Sequence, residues 1–160
     1  MSAHCVDELT EAARDGDQAR LEALLADGVG VNEVDTDGDT ALLMAAMEGD
    51  MGCLKVLLAA GAYVDFMRED GGWTPLMVSA SEGHLECVKV LVAAGALLHL
   101  EDEEGRTAED LAWAMAEKEV EAFLAATRRE QRAAWEAKRN AERLAEVLPE
   151  GPKENEKGRF

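Results

Sequence analysis

The stretch Asp37-Gly-Asp-Thr-Ala-Leu-Leu-Met-Ala-Ala-Met-Glu-Gly-Asp50 returns as Gly71-Gly-Trp-Thr-Pro-Leu-Met-Val-Ser-Ala-Ser-Glu-Gly-His84. Three markers share one period. Thr40, Thr74 and Thr107 are 34 and 33 residues apart, Gly16, Gly49 and Gly83 are 33 and 34 apart, and Gly28, Gly61 and Gly95 repeat those intervals. A period of this size predicts a stack of similar units, each of which buries its apolar face only against a neighbour. The one extra residue falls between Val64 and Thr74, near Arg68, where a loop absorbs it.

Each unit reads as two short helices and a polar connection. Thr40 precedes the apolar run Ala41–Ala46, with Gly49 just past its end: a hydroxyl at the start and a stop at the finish. Leu54, Val56, Leu57 and Leu58 then place apolar side chains at i, i+3 and i+4, and Gly61 ends that helix. Asp, Gly and Glu dominate the residues that lead to the next unit, which predicts an exposed finger rather than a third helix.

Gly72-Trp-Thr-Pro-Leu-Met, Ala80 and Glu82-Gly-His-Leu-Glu-Cys-Val-Lys-Val-Leu-Val-Ala-Ala-Gly-Ala96 resemble an ankyrin repeat almost from end to end. Gly38-Asp-Thr-Ala-Leu-Leu with Leu54-Lys-Val-Leu-Leu-Ala-Ala-Gly-Ala62 resembles a second. The resemblance implies an all-α solenoid of stacked helix-turn-helix units with β-hairpin-like fingers, its repeats at about 7–34, 35–68, 69–101 and 102–124. The outer two depart from the pattern. Residues 8–32 lack a Thr-Pro-Leu start, and Glu109 replaces the apolar leucine of the last unit, so both read as caps with one polar face.

The chain has no apolar run approaching a membrane span and opens without a secretory leader, so an intracellular protein of cytoplasm or nucleus, monomeric when alone, is expected. Cys53 and Cys87 occupy equivalent places on stacked helices whose axes lie about 8–10 Å apart, too far for a disulfide. They are expected to be small buried residues in a reducing compartment.

Charge is unevenly divided. Up to Leu124 there are 27 acidic and 7 basic residues, a net of −20, whereas the remainder carries 7 acidic and 9 basic, a net of +2. The acids crowd the fingers: Asp35, Asp37 and Asp39, then Glu69 and Asp70, then Glu101 to Glu104. Nucleic acid is disfavoured as a partner of the repeats, because phosphates need a basic stripe. Acidic tips serve solubility, and a negative groove attracts a basic segment of a protein. By resemblance to ankyrin complexes, contacts with a partner fall on the fingers and the inner surface of the first helices. Here those places are Asp37, Asp39, Met47 and Glu48, then Asp70, Trp73, Ser81 and Glu82, then Glu104, Arg106 and Met115. Trp73 sits in a variable slot, held by Asp39 and Arg106 in the neighbouring units, so it reads either as an exposed anchoring aromatic or as a ring lying over its own finger.

No catalytic, metal or cofactor site emerges. Asp35-Thr-Asp-Gly-Asp39 imitates the opening of a calcium loop, but Thr40 stands where the sharp-turn Gly belongs and Ala46 where the bidentate Glu belongs. His84 belongs to the Gly-His-Leu-Glu segment and has no nucleophile placed near it by sequence. A non-catalytic interaction module is the resulting expectation: an adaptor, inhibitor or assembly chaperone.

After the repeats, residues 125–148 are rich in Ala, Glu, Arg and Lys, a composition that predicts a long charged helix before an irregular end at 149–160. Ala134, Ala137, Ala141, Leu144 or Ala145, and Leu148 form a narrow seam with Trp135 beside it. The helix is expected either to extend or to fold back and cover the open end of the last repeat near Trp113 and Phe123. In the alternative reading the repeats are a platform and this helix is the partner-binding element.

Overall fold

The computed structural model describes residues 3–147; Leu148 and the irregular end expected at 149–160 lie outside the described residues. Eight helices occur among them: α1 Ala3–Arg14, α2 Gln18–Ala26, α3 Ala41–Glu48, α4 Met51–Ala59, α5 Pro75–Ser81, α6 Leu85–Ala93, α7 Ala108–Ala114 and α8 Lys118–Val147. The fingers between them are turns, and no strand is formed among the described residues. No helix there is long and apolar enough to cross a membrane.

The repeated threonines start the short first helices. Thr40 Oγ1 accepts from the Leu43 amide at 3.3 Å, Thr74 Oγ1 from Met77 at 3.3 Å and Thr107 Oγ1 from Asp110 at 3.4 Å. Each bond satisfies one of the amides that an α-helix leaves without a partner. In the last unit the Thr107 amide also donates to Asp110 Oδ2 at 2.9 Å, so Asp110, in the place of Leu43 and Met77, completes a capping box. The second helices α2 and α4 are capped by Asp17 and Asp50, which accept from Arg20 and Cys53 amides at 3.0 and 2.7 Å. His84 holds that place before α6 and caps nothing; its Nε2 lies 2.9 Å from the Met47 carbonyl oxygen of the preceding unit.

Helices α1, α3, α5 and α7 pack in that order as one layer, and α2, α4 and α6 form a second behind it. Leu9, Leu21, Leu42, Leu54, Leu57, Leu76, Leu91, Val120 and Leu124 fill the space between, all essentially buried. Truncating any one of these leucines to Ala costs about 2–5 kcal/mol. Close approach of successive first helices depends on a small residue in one slot. Ala13, Ala46 and Ala80 are fully buried there, and Ser79 Oγ donates to the Ala46 carbonyl at 3.2 Å across the junction. Trp113 takes the same slot in α7, where no repeat follows, and is 71% exposed.

The glycine after each first helix obeys the same logic. Gly49 has φ 73°, and a Cβ built on it would come within 2.6 Å of His84 Nδ1 of the next unit. Both the left-handed backbone and the neighbour exclude a side chain. Ala116 occupies this place in the last unit with φ 62°, the one non-glycine residue of positive φ among those described.

The terminal helix begins earlier than the expected 125–148. It starts at Lys118 as the second helix of the last unit and runs to Val147 without a Gly or Pro. Its first turns carry Val120 and Leu124 into the core, and from Arg128 to Glu146 its side chains are exposed. The chain divides into two compact units between Ala125 and Ala126.

Ala116→Gly should raise stability by roughly 0.5–1 kcal/mol, the left-handed strain relieved less the added chain entropy. Gly49→Ala should lower it. Chemical denaturation of both variants checks the pair; a destabilised A116G contradicts the account of that turn. Cys53 and Cys87 are buried thiols, and Cys5 is partly so. Burial pushes Cys53 up to about 11, with Asp50 adding to the effect, and burial raises Cys87 as well. A disulfide reagent at mildly alkaline pH should therefore modify at most one cysteine of the native chain and three after denaturation; rapid labelling of all three in the native state would contradict this.

Candidate functional site

The first and third fingers are closed by the same carboxylate device. Asp35 Oδ1 accepts from the amides of Asp37 and Asp39, both at 2.9 Å, and Asp102 Oδ1 from those of Glu104 and Arg106 at 3.0 and 2.8 Å. One backbone bond completes each turn, Asp35 N to Asp39 O at 2.9 Å and Asp102 N to Arg106 O at 3.0 Å. In the second finger the equivalent residue is Arg68, whose guanidinium accepts no hydrogen bond. There the closing bond runs one residue further, from Arg68 N to Trp73 O at 3.0 Å, over Gly71 and Gly72 at φ 84° and 69°. The extra residue of this repeat thus belongs to a longer turn that needs no side-chain acceptor.

Freed from that role, the Arg68 side chain reaches the first finger. Its Nε lies 3.2 Å from Asp39 Oδ1 and its Nη2 donates to the Asp37 carbonyl at 3.4 Å. Neither Asp39 Oδ1 nor Arg68 Nε gains a hydrogen bond of good geometry, so their contact is coulombic. Asp39 is only 5% exposed. Burial pushes its carboxyl above the ordinary range; Arg68 works against this, and the Asp35 and Asp37 carboxylates work with it. Asp102 is equally buried, and burial pushes its carboxyl up too. Hydrogen bonds from the Arg106 side chain and backbone and from the Glu104 amide outweigh that and hold it below the usual range. Arg106 Nε donates to Asp102 Oδ2 at 2.9 Å.

Between the second and third units lies a cleft of about 340 Å³. Leu43, Met47 and Val78 supply its apolar surface, Arg68, Asp70, Gly71 and Trp73 one polar wall, and Ser81 and Glu82 the other. Leu43 and Val78 are buried, Met47 and Trp73 half-buried, and Asp70 and Glu82 exposed. Of the two readings of Trp73, the structure favours the ring that lies over its own finger. It packs partly against the core, and its ring lies so close to Gly71 that a Cβ there would meet Trp73 Cδ1 at 3.0 Å.

Five of the eleven residues singled out in the sequence, Met47, Asp70, Trp73, Ser81 and Glu82, meet at this cleft. Two are corrected in character. Ser81 is buried and its Oγ donates to the Val78 carbonyl at 2.9 Å, while Asp39 is not a finger-tip contact but the buried partner of Arg68. Asp37 and Glu48 are exposed outside the cleft. Glu104 pairs with Arg106 on the third finger, which leaves that arginine bound to two carboxylates of its own turn. Met115, at the end of α7, is 59% exposed and lies apart from the cleft lining. Sequence reasoning missed Arg68, Leu43 and Val78. Arg68 was detectable as the basic residue in the register of Asp35 and Asp102. Among the described residues no cluster of three His, Cys, Asp or Glu side chains is arranged to hold a metal ion.

The two buried carboxylates should titrate on opposite sides of the ordinary aspartate value. Ionised Asp39 opposes folding progressively as pH rises through its folded-state pKa, because the folded state holds that proton more tightly. Asp102 favours folding above its unfolded value and loses that contribution as pH falls through its lower folded-state pKa. Carboxyl-carbon NMR titration reads both directly, and Asp39 titrating below Asp102 would contradict the assignment.

Comparison with protein-family models agrees with this architecture: a model described as ankyrin repeats in three copies matches residues 9–102 and again residues 52–129. With its helix pairs, threonine caps and stacked junctions, the chain belongs to the ankyrin repeat family.

Proposed function

We propose that this chain is a non-catalytic interaction module whose cleft between the second and third repeats receives a basic segment of a protein partner. Ankyrin repeats are in general protein–protein interaction modules. The observation that carries the finer reading is the company Trp73 keeps. Trp73, half-buried and set against Gly71 of its own finger, lines the cleft together with the apolar Leu43, Met47 and Val78 and the exposed carboxylates Asp70 and Glu82.

The one cation on the lining, Arg68, is already engaged by Asp39 and the Asp37 carbonyl, so Asp70 and Glu82 remain to meet an incoming charge. A lysine or arginine entering there finds a ring face for a cation–π contact and a carboxylate for its head group, while its aliphatic stem lies on Leu43, Met47 and Val78. The ring needs no reorganisation on binding, which favours affinity. The acidic fingers outside the cleft add long-range attraction, and with it speed of encounter rather than tightness. Such a module suits an adaptor, an inhibitor or an assembly chaperone that shields a basic surface. The buried thiols Cys53 and Cys87 suit a reducing compartment, and so cytoplasm or nucleus.

Fluorescence anisotropy with a labelled peptide rich in Lys and Arg tests the reading. Trp73→Ala should weaken binding roughly tenfold or more, as expected for a central aromatic anchor. Asp70→Asn with Glu82→Gln should weaken it comparably, and the native chain should lose affinity when salt is raised from low to high. Equal affinity for native and Trp73→Ala chains would refute the cleft as the binding site.

A further inference from the structure

The second unit has a surface that the repeats do not. From Arg128 to Glu146 every side chain of α8 is exposed, and at about 100° per residue they sort into two faces. Ala134, Ala137, Ala141 and Leu144 share one. Arg128, Arg132, Trp135, Arg139 and Arg143 line the other, at successive spacings of 4, 3, 4 and 4 residues. Trp135 therefore does not lie beside the alanine seam, as its neighbours in sequence suggested. Its ring is covered instead by Arg139, whose guanidinium carbon is 5.1 Å from the ring centre, and the residue is 58% exposed. Glu136 and Glu142 flank the ridge and Glu146 lies on its line one turn past Arg143; the Arg132–Glu136 contact, 3.0 Å between exposed groups, is of the kind that yields readily to a competing partner.

We propose that this arginine–tryptophan ridge docks along the acidic finger edge of a second copy of the chain, with a ridge side chain seated in the cleft walled by Trp73, Asp70 and Glu82. The proposal rests on the cleft reading above and names its occupant. Complementary charge is the first argument: residues 1–124 carry a net of −20 and residues 125–160 a net of +2, so one chain holds both halves of the contact. Net repulsion between two acidic chains does not forbid it, because at 0.1 M salt charges more than about 10 Å apart are largely screened. Length is the second argument. Arg128 to Arg143 spans about 22 Å of helix, close to two repeat spacings of about 8–10 Å each, enough to run past the tips at Asp37, Asp70 and Glu104. Composition is the third, since Trp and Arg dominate the residues that carry binding energy at interfaces. Ridge and cleft are different surfaces, so the contact is head-to-tail and adds copies in sequence rather than closing as a symmetric pair. The chain is then not the monomer expected from its sequence.

Sedimentation velocity of the full-length chain tests this over a wide concentration range in low and high salt. Mass should grow beyond the 17.3 kDa monomer with concentration in low salt and return to it in high salt. The ridge variant Arg132→Gln/Arg139→Gln and the cleft variant Asp70→Asn/Glu82→Gln, all surface changes, should each weaken association tenfold or more. Mixed in equal amounts they should form a dimer that grows no further, because one intact ridge meets one intact cleft. A native chain that stays monomeric throughout overturns the proposal, as does a ridge variant that associates like the native chain, or a monomeric native chain whose ridge instead retains a duplex RNA probe. The basic-peptide assay separates the two readings: a monomeric chain whose cleft still binds the peptide refutes self-docking alone.

Discussion

Everything in the repeat unit depends on how closely one helix pair is allowed to approach the next. The small residues at Ala13, Ala46 and Ala80 permit that approach, and the glycines after the first helices leave room for the residue that opens the second helix of the following unit. His84 illustrates the coupling. It gives up the capping bond that Asp17 and Asp50 make within their own units and bonds to the Met47 carbonyl of its neighbour. A stack built this way is stable as an array and weak as single units, the behaviour of one-dimensional repeat proteins. It is relaxed only at the end. Trp113 and Ala116 stand in the slots that interior units reserve for Ala and Gly, and no following repeat penalises either.

The fingers show how a single residue type redistributes function. Where an aspartate accepts the turn's own amides, the finger is short and closes on itself, and in the third finger that device also captures Arg106. Arg68 replaces the acceptor in the second finger. The turn lengthens, two glycines take the positive-φ positions, and Trp73 is laid against Gly71. The same arginine crosses to Asp39, holding two fingers together at one side of the cleft. Loss of the carboxylate acceptor, the longer turn and the placement of the tryptophan are therefore parts of one local arrangement.

The architecture was largely legible in the sequence because period, helix starts and helix stops are written in residue types with strong backbone preferences: Thr40, Thr74 and Thr107, Pro75, and the glycines. Candidate contacts were legible only in part. Position within the repeat located Met47, Asp70, Trp73 and Glu82, but exposure depends on partners that no repeat register specifies. Asp39 and Arg106 share the slot of Trp73, yet one is buried against Arg68 and the other is held by Asp102. The last repeat's second helix and the charged helix are one continuous α8, because no Gly or Pro interrupts Lys118 to Thr127, and helix propensity alone does not show that the two segments join. The ridge on α8 was hidden for another reason: a list of apolar positions draws the eye to the alanines, whereas the angular spacing of the arginines reveals the opposite face.

The central claim is that partners are received at the cleft beside Trp73. Amide and indole NMR shifts of the full-length chain, followed during titration with a peptide rich in Lys and Arg, test it most directly. The account predicts that the largest changes fall on Asp70, Gly71, the Trp73 indole N–H and Glu82, together with Met47. Changes confined to the outer helices α2, α4 and α6, with the Trp73 indole unmoved, would contradict it.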